Sequence, residues 1–113
     1  MQKLDYALYK AEQEGIKLLI TFTNNWEAFG GMGQYVQWAK LAGENVSGHD
    51  DFYTNETIKG WYKDYIKTLL NHENVYTGVK YKDDPTIFSW ELANEPRCES
   101  DAGCENNTVV KWA

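Results

Sequence analysis

The sequence predicts an α/β fold in which parallel strands are joined by helices. Two short apolar segments, residues 16–22 and the segment that begins at Thr86, have the composition of strands covered on both faces. The segments before and between them repeat apolar residues at three- and four-residue steps, as amphipathic helices do. Strands separated by helices connect in parallel, because hairpins join strands through short turns.

The first helix is predicted over residues 3–14. Leu4, Leu8 and Ala11 recur at helical spacing, and Gly15 follows at a position where glycine ends many helices. The first strand comes next, over residues 16–22. It ends in the polar sequence Asn24-Asn25-Trp26.

A glycine-punctuated loop over residues 29–33 leads to a second helix, predicted over residues 34–41. Three residues recur along it at three-residue steps, Tyr35, Trp38 and Leu41. Gly43 is expected to end it. The sequence Gly48-His49-Asp50-Asp51 then predicts a solvated polar loop. Together with the distant His72 it could be drawn as a metal site, but these residues do not follow a metal-ligand spacing.

The third helix has the clearest pattern in the chain. Thr54 is its predicted N-cap, and Glu56 in the first turn complements the helix dipole. An apolar stripe runs from Ile58 to Leu70, and the helix is expected to end near Asn71. A turn-rich segment, residues 74–84, then precedes Pro85 and the second strand.

Two parallel strands neither close a barrel nor cover their own edges. No linker or internal repeat divides the 113 residues, and a closed eight-stranded α/β barrel needs about 250. The sequence is therefore interpreted as one contiguous piece of a larger domain.

The charge and aromatic content narrow the class of partner. A net charge of -6 disfavours nucleic acid and anionic membranes, both of which attract clustered Lys and Arg. Aromatic residues make up 15% of the chain and suit a neutral polysaccharide as well as a core. No apolar stretch has the length of a membrane span.

The signals for cellular location point in two directions. The first residues do not form a secretory signal peptide. Three glycosylation sequons nevertheless favour secretion, and they are Asn45-Val46-Ser47, Asn55-Glu56-Thr57 and Asn106-Asn107-Thr108.

The second strand ends in Asn94-Glu95-Pro96-Arg97, which contains the only arginine of the chain. A carboxylate at the tip of a buried strand has the position of a catalytic acid, Asn94 can bind a substrate hydroxyl, and Arg97 can hold an ionised carboxylate. The same residues also suit a surface turn with a salt bridge. The motif alone leaves both interpretations open.

Glycoside hydrolysis usually needs a second carboxylate. Glu91 lies on the same strand face but roughly 13 Å from Glu95, so we expect it to be a buried structural group. Glu27 lies in a loop of unknown course. The nucleophile is therefore expected outside these 113 residues. Trp26, at a strand tip, is the candidate sugar-stacking platform, whereas Trp38 and Trp61 have core spacing.

Cys98 and Cys104 follow the motif closely. Their spacing permits a local disulfide in an oxidising compartment, and two free thiols are equally compatible with it. They lack the further ligands of a zinc site.

These motifs together resemble the endo-β-1,4-mannanases of glycoside hydrolase family 5, especially those of fungi and plants. The resemblance is strongest at Trp90-Glu91-Leu92-Ala93-Asn94-Glu95-Pro96-Arg97-Cys98. It extends through residues 18–26, 29–31, 34–36, 52–54 and 81–87.

The resemblance implies specific roles. Glu95 would be the acid/base at the end of the fourth barrel strand, and Asn94 would bind the sugar there. Trp26 would line the mannan cleft, Arg97 would lie in the active-site surroundings, and Cys98–Cys104 would be a local disulfide. The chain would be part of a (β/α)8 TIM barrel, from its second helix to the start of its fourth and including strands 3 and 4.

The family also implies retaining hydrolysis of internal β-1,4-mannosidic bonds without a metal or cofactor, in a secreted, monomeric full-length enzyme. Residues 1–113 would be a fragment of one catalytic domain and inactive by themselves. Two alternatives remain: a related β-1,4-glucanase or exo-mannosidase, and a noncatalytic carbohydrate binder or inactive remnant.

Overall fold

The computed structural model describes residues 1–113. The elements in chain order are α1 (Gln2–Gln13), β1 (Leu18–Thr21), α2 (Met32–Leu41), α3 (Asp51–Thr54), α4 (Glu56–Asn71), a 3-10 helix (Tyr81–Asp83), β2 (Ile87–Glu91), α5 (Asp101–Glu105) and α6 (Thr108–Trp112). The predicted order of helix, strand, helix, helix, strand is confirmed. The short helices α3, α5 and α6 and the 3-10 helix are additions to it. No helix has the length and apolar character needed to cross a membrane.

β1 and β2 form a two-stranded sheet. The Leu18 N–H donates to the Thr86 carbonyl at 2.8 Å, and further along both segments the Asn25 N–H donates to the Asn94 carbonyl at 3.0 Å. Residue numbers rise in the same direction on both sides, so the strands are parallel, as predicted. Their carboxyl ends therefore lie at one edge of the sheet.

The chain forms two compact units, and the first consists of Met1–Ile20 and Asp64–Glu91. Its core contains the fully buried carboxylate of Asp5, which accepts hydrogen bonds from Tyr81 Oη at 2.5 Å and from His72 Nε2 at 2.8 Å. Burial alone would raise the pKa of Asp5, but these bonds hold it below its usual value. This network fixes α1 against the segment that follows α4.

The second unit consists of Thr21–Lys63 and Leu92–Ala113 and has an aromatic core. The Phe52 ring lies 5.2 Å from that of Tyr62 and 5.6 Å from that of Trp112, and the Tyr53 ring lies 5.3 Å from Trp112. These edge-on and tilted contacts are typical of aromatic cores. They hold α3 in place, and α3 carries Tyr53 while Asp50 immediately precedes it, two residues that organise the candidate site.

Of the three residues spaced along α2, Tyr35 packs with its ring 5.5 Å from Phe52 and 6.0 Å from Tyr62, but the core position predicted for Trp38 is wrong. Trp38 is 49% exposed and Leu41 80% exposed, whereas Met32 and Ala39 are fully buried. Each residue turns the helix by about 100°, so three-residue steps drift around it, while positions seven apart return to nearly the same direction. The seven-residue step from Met32 to Ala39 therefore marks the core face.

The predicted N-cap of α4 is also wrong, because Thr54 is the last residue of α3. Asn55 instead has the extended backbone of an N-cap, and its Oδ1 accepts the Ile58 N–H at 3.0 Å. Both residue types are good N-caps. Thr54 is not the N-cap of α4 because it is part of the unpredicted helix α3.

The prediction that both strands are covered on two faces is not met in this chain. Leu19 and Phe88 are exposed, so apolar side chains of both strands lie open to solvent. Glu91 is exposed rather than buried. The apolar pattern of a strand predicts that a face is buried by other residues. It does not show that those residues belong to the same 113.

Candidate active site

The candidate site begins where the two parallel segments end. Asn24 and Asn94 form an isolated parallel bridge, and the Asn94 N–H donates to the Thr23 carbonyl at 2.9 Å. The Asn94 Nδ2 donates to Asn24 Oδ1 at 3.1 Å. Asn94 is therefore held by its backbone and by its side chain, and the next residue, Glu95, leaves the edge of the sheet.

The structure brings Glu95, Trp26 and Arg97 together. Trp26 Nε1 donates a hydrogen bond to Glu95 Oε2 at 2.8 Å, and Arg97 Nη2 lies 3.7 Å from the same oxygen. The Glu95 side chain is 52% exposed, so this carboxylate is open to a ligand while one hydrogen bond and one ion pair orient it. A carboxylate that is both oriented and accessible can transfer a proton to a bound molecule.

Trp26 has a role that its position in the sequence did not reveal. Besides holding Glu95, its indole ring lies 5.5 Å from the Arg97 guanidinium, a cation–π distance. One face of the predicted stacking platform is therefore covered by Arg97. The ring remains partly exposed and borders a cavity of about 540 Å³ that Glu27 and His49 also line.

The Glu95 backbone has a positive φ of 49°. Residues other than glycine seldom adopt this left-handed conformation, which persists where the surroundings enforce it. The segments on either side of Glu95 are restrained by hydrogen bonds. After Glu95, the restraints on Arg97 come from two buried side chains that sequence reasoning missed, Asn25 and Tyr53.

Asp50 corrects the prediction of a solvated loop. Its carboxylate is mostly buried and accepts hydrogen bonds from the Glu99 N–H at 2.8 Å, the Ser100 N–H at 2.9 Å and the Ser100 hydroxyl at 2.7 Å. Burial alone would raise the pKa of Asp50, but these bonds lower it to about 2. Asp50 thereby anchors the segment that follows the candidate site.

A disulfide joins Cys98 to Cys104, with the Cα atoms 5.3 Å apart. It connects the residue after Arg97 to α5. The Ser100 hydroxyl caps this helix by accepting the Gly103 N–H at 3.0 Å. The disulfide, the cap and Asp50 therefore restrain one short segment from three directions.

Other carboxylates are not gathered at Glu95. Glu27 lines the cavity beside Trp26, and Glu91 lies on β2. No group of three or more His, Cys, Asp or Glu side chains is arranged to hold a metal ion. The structure thus presents one oriented carboxylate, one aromatic ring, one guanidinium and the Asn94 amide at the sheet edge.

Comparison with known proteins identifies the family. The model of the family described as GH family 5 beta-mannosidase-like matches residues 1–113. The chain is 51% identical to mannan endo-1,4-beta-mannosidase 3 of Arabidopsis thaliana, over 98% of this chain and 26% of that protein. It therefore spans about a quarter of that relative's length.

Solved structures give the same result. The endo-1,4-beta-D-mannanase of Thermotoga petrophila matches with a TM-score of 0.88 and 54% identity, over 98% of this chain and 29% of that one. The endo-1,4-beta-mannanase of Rhizomucor miehei matches with a TM-score of 0.84 and 46% identity, over 96% and 31%. A family 5 mannosidase of Rhizomucor miehei matches with a TM-score of 0.70 and 31% identity, over 97% of this chain and 31% of that one.

The resemblance to family 5 mannanases that the motifs indicated is thus confirmed along the whole sequence. The chain belongs to the GH family 5 beta-mannosidase-like family.

Proposed function

We propose that this chain carries the acid/base half of a retaining endo-β-1,4-mannanase. The observation that carries the proposal is the accessible Glu95 carboxylate, which Trp26 Nε1 holds at 2.8 Å at the end of the parallel strands. Active sites of parallel α/β barrels form at this edge of the sheet. The family match supports a glycosidase as the setting.

In this mechanism Glu95 acts twice. It first donates its proton to the glycosidic oxygen as the bond to the anomeric carbon breaks and a second carboxylate attacks that carbon. It then removes a proton from the water that displaces this carboxylate, which restores both groups. The second carboxylate would come from residues outside these 113.

The whole domain would be a (β/α)8 barrel of which residues 1–113 form one part. Two parallel strands joined through helices agree with this architecture. The exposed apolar side chains of both strands agree with further elements packing on them. The full-length enzyme would be secreted and monomeric and would need no metal or cofactor.

The substrate would be a mannan-type polysaccharide. Asn94 and the open face of Trp26 would contact sugar rings, and Arg97 would orient Glu95. Identity is higher to the two endo-mannanases, at 54% and 46%, than to the mannosidase, at 31%, which favours an endo-acting enzyme over an exo-acting one.

A hybrid enzyme tests the proposal in a folded barrel. These 113 residues replace the matching segment of the Thermotoga petrophila endo-mannanase, which has 54% identity. Glu95→Gln should lower hydrolysis of mannan by about 10²- to 10⁴-fold, because the amide cannot transfer a proton. An aryl β-mannobioside with an acidic leaving group should lose far less in kcat/KM, because its departure needs little protonation.

Glu105→Gln, an exposed change in α5, is the matched control. Unchanged hydrolysis of mannan by Glu95→Gln would refute the assignment. A hybrid that folds and is retained on mannan in affinity electrophoresis, yet releases no sugar, would favour the noncatalytic binder. Rates on mannan and cellulose, together with product lengths, separate the glucanase and exo-mannosidase alternatives.

A further inference from the structure

Asn25 connects two points on either side of Glu95. Its backbone N–H donates to the Asn94 carbonyl at 3.0 Å, and its side-chain Oδ1 accepts the Arg97 N–H at 3.0 Å. The residue is only 4% exposed, so water does not compete effectively for these bonds. One buried residue thus fixes the separation between the start and the end of the segment that contains Glu95.

Tyr53 completes this restraint from α3. Its hydroxyl donates to the Arg97 carbonyl at 2.9 Å and lies 3.3 Å from Asn25 Oδ1. The residue is 2% exposed, and burial, with the nearby Asp50 and Glu99 charges, raises the pKa of Tyr53 to about 12. The hydroxyl therefore stays protonated and able to donate across the neutral range. Both backbone groups of Arg97 are bound by buried side chains.

This restraint bears on the conformation of Glu95. Proline at the next position disfavours the right-handed helical region for Glu95 and favours the extended region. The structure has φ at 49°, the left-handed alternative, which an unrestrained glutamate seldom adopts. Asn94 and Arg97 are both held by hydrogen bonds, and in this conformation the Glu95 carboxylate accepts the hydrogen bond from Trp26 Nε1.

We propose that Asn25 and Tyr53 are positioning residues that hold Glu95 in its left-handed conformation by binding the backbone of Asn94 and Arg97. The inference rests on the proposed acid/base role of Glu95. Neither side chain is hydrogen-bonded to the Glu95 carboxylate. Both side chains act through the backbone of Arg97, two residues after Glu95, so their loss affects proton transfer more than it affects substrate binding.

Tyr53→Phe in the hybrid enzyme is the sharpest test, because it removes the hydroxyl and keeps the ring that packs against Trp112. We expect kcat/KM on a β-1,4-mannan oligosaccharide to fall by about tenfold or more, as small misplacements of catalytic groups do. On the aryl β-mannobioside with an acidic leaving group, we expect less than about a threefold change, since its departure depends little on the acid. Asn25→Ala should give the same pattern.

Tyr81→Phe is the matched control, because it removes a buried tyrosine hydroxyl that binds Asp5 in the other unit. It should lower thermal stability and leave the ratio of the two kcat/KM values unchanged. A purely structural role of Tyr53 would do the same. Equal losses on both substrates, or no loss on either, overturn the proposal.

A crystal structure of the Tyr53→Phe hybrid gives a readout that does not depend on turnover. The proposal expects the Glu95 carboxylate to move away from Trp26 Nε1, and an unchanged Glu95 overturns it. Glu95→Gln measured in parallel separates the two hypotheses. If that variant loses mannan hydrolysis while Tyr53→Phe does not, only the positioning role fails; if it retains hydrolysis, both fail.

Discussion

At the scale of single residues, the role of Asp50 in the structure differs most from the role that the sequence predicts for it. Read locally, it belongs to a run of polar residues that suits a solvated loop. In the structure it accepts three hydrogen bonds from residues 49 and 50 positions further along. Hydrogen-bond partners so distant in the sequence leave no periodic signal. The anchoring roles of Asp50, Asn25 and Tyr53 therefore could not be predicted. Glu95, Asn94, Trp26 and Arg97 could be nominated because they stand directly at strand ends.

Asp50→Asn should lower the free energy of unfolding of the hybrid by about 1–3 kcal/mol at neutral pH, since an NH2 donor replaces one of the two carboxylate oxygens that accept the three hydrogen bonds. The folded-state pKa of Asp50, about 2, lies below its ordinary value of 3.8. Its stabilising contribution is therefore fully present above pH 4 or so and is lost as the pH falls through about 2.

Denaturant titrations across this pH range measure the effect. The difference between the parent and Asp50→Asn should shrink as the solution becomes more acidic. Asp64→Asn, an exposed change on α4, should stay within about 0.5 kcal/mol of the parent at every pH. A difference for Asp50→Asn that grows toward low pH would contradict the assignment.

At the scale of elements, the turn from the end of the first parallel segment into α2 sets the position of Trp26. The Met32 N–H donates to the Asn24 carbonyl at 2.8 Å, which folds the intervening loop back on itself. Gly31 precedes α2, and a Cβ there would collide with the backbone carbonyls of Trp26 and Asn24. The glycine cluster predicted a loop, but only the fold shows which glycine the loop requires.

Gly31→Ala should destabilise the hybrid by about 1–3 kcal/mol, because the new methyl group must displace backbone atoms. Gly33→Ala is the matched control within the same cluster. A Cβ at Gly33 has nothing within 4 Å, and the residue lies inside α2, so alanine should be neutral or stabilise by up to about 1 kcal/mol. Thermal unfolding of the two variants measures this difference in stability. Equal changes in stability would show that the close approach of the Trp26 and Asn24 carbonyls to Gly31 is unimportant.

The same comparison explains which parts of the elements could be predicted. The existence and order of the main helices and strands follow from apolar spacing and glycine positions, and these predictions are confirmed. The core face of α2 and the cap of α4 depend on what packs against them. Phe52 and Tyr53, on the unpredicted helix α3, belong to the buried core of the second unit. Spacing alone therefore could not identify these contacts.

At the scale of the whole molecule, the core of each unit is formed by segments far apart in sequence. Each unit buries a compact set of side chains, yet large apolar residues remain open in both. Phe88 on β2 belongs to the first unit, and Val110 on α6 to the second. The two-stranded sheet also has unpaired edges, which promote association between chains. Apolar surfaces of this kind are covered by neighbouring elements when a barrel is complete.

The 113 residues expressed alone should therefore aggregate or unfold without a cooperative transition, because exposed strand edges and apolar faces favour intermolecular pairing over a single folded state. The hybrid enzyme should be monodisperse, with a sharp transition. Size-exclusion chromatography and thermal unfolding of both proteins measure the contrast. A monodisperse isolated chain with a cooperative transition would show that the two units are sufficient for folding and that the exposed strand faces need no further elements.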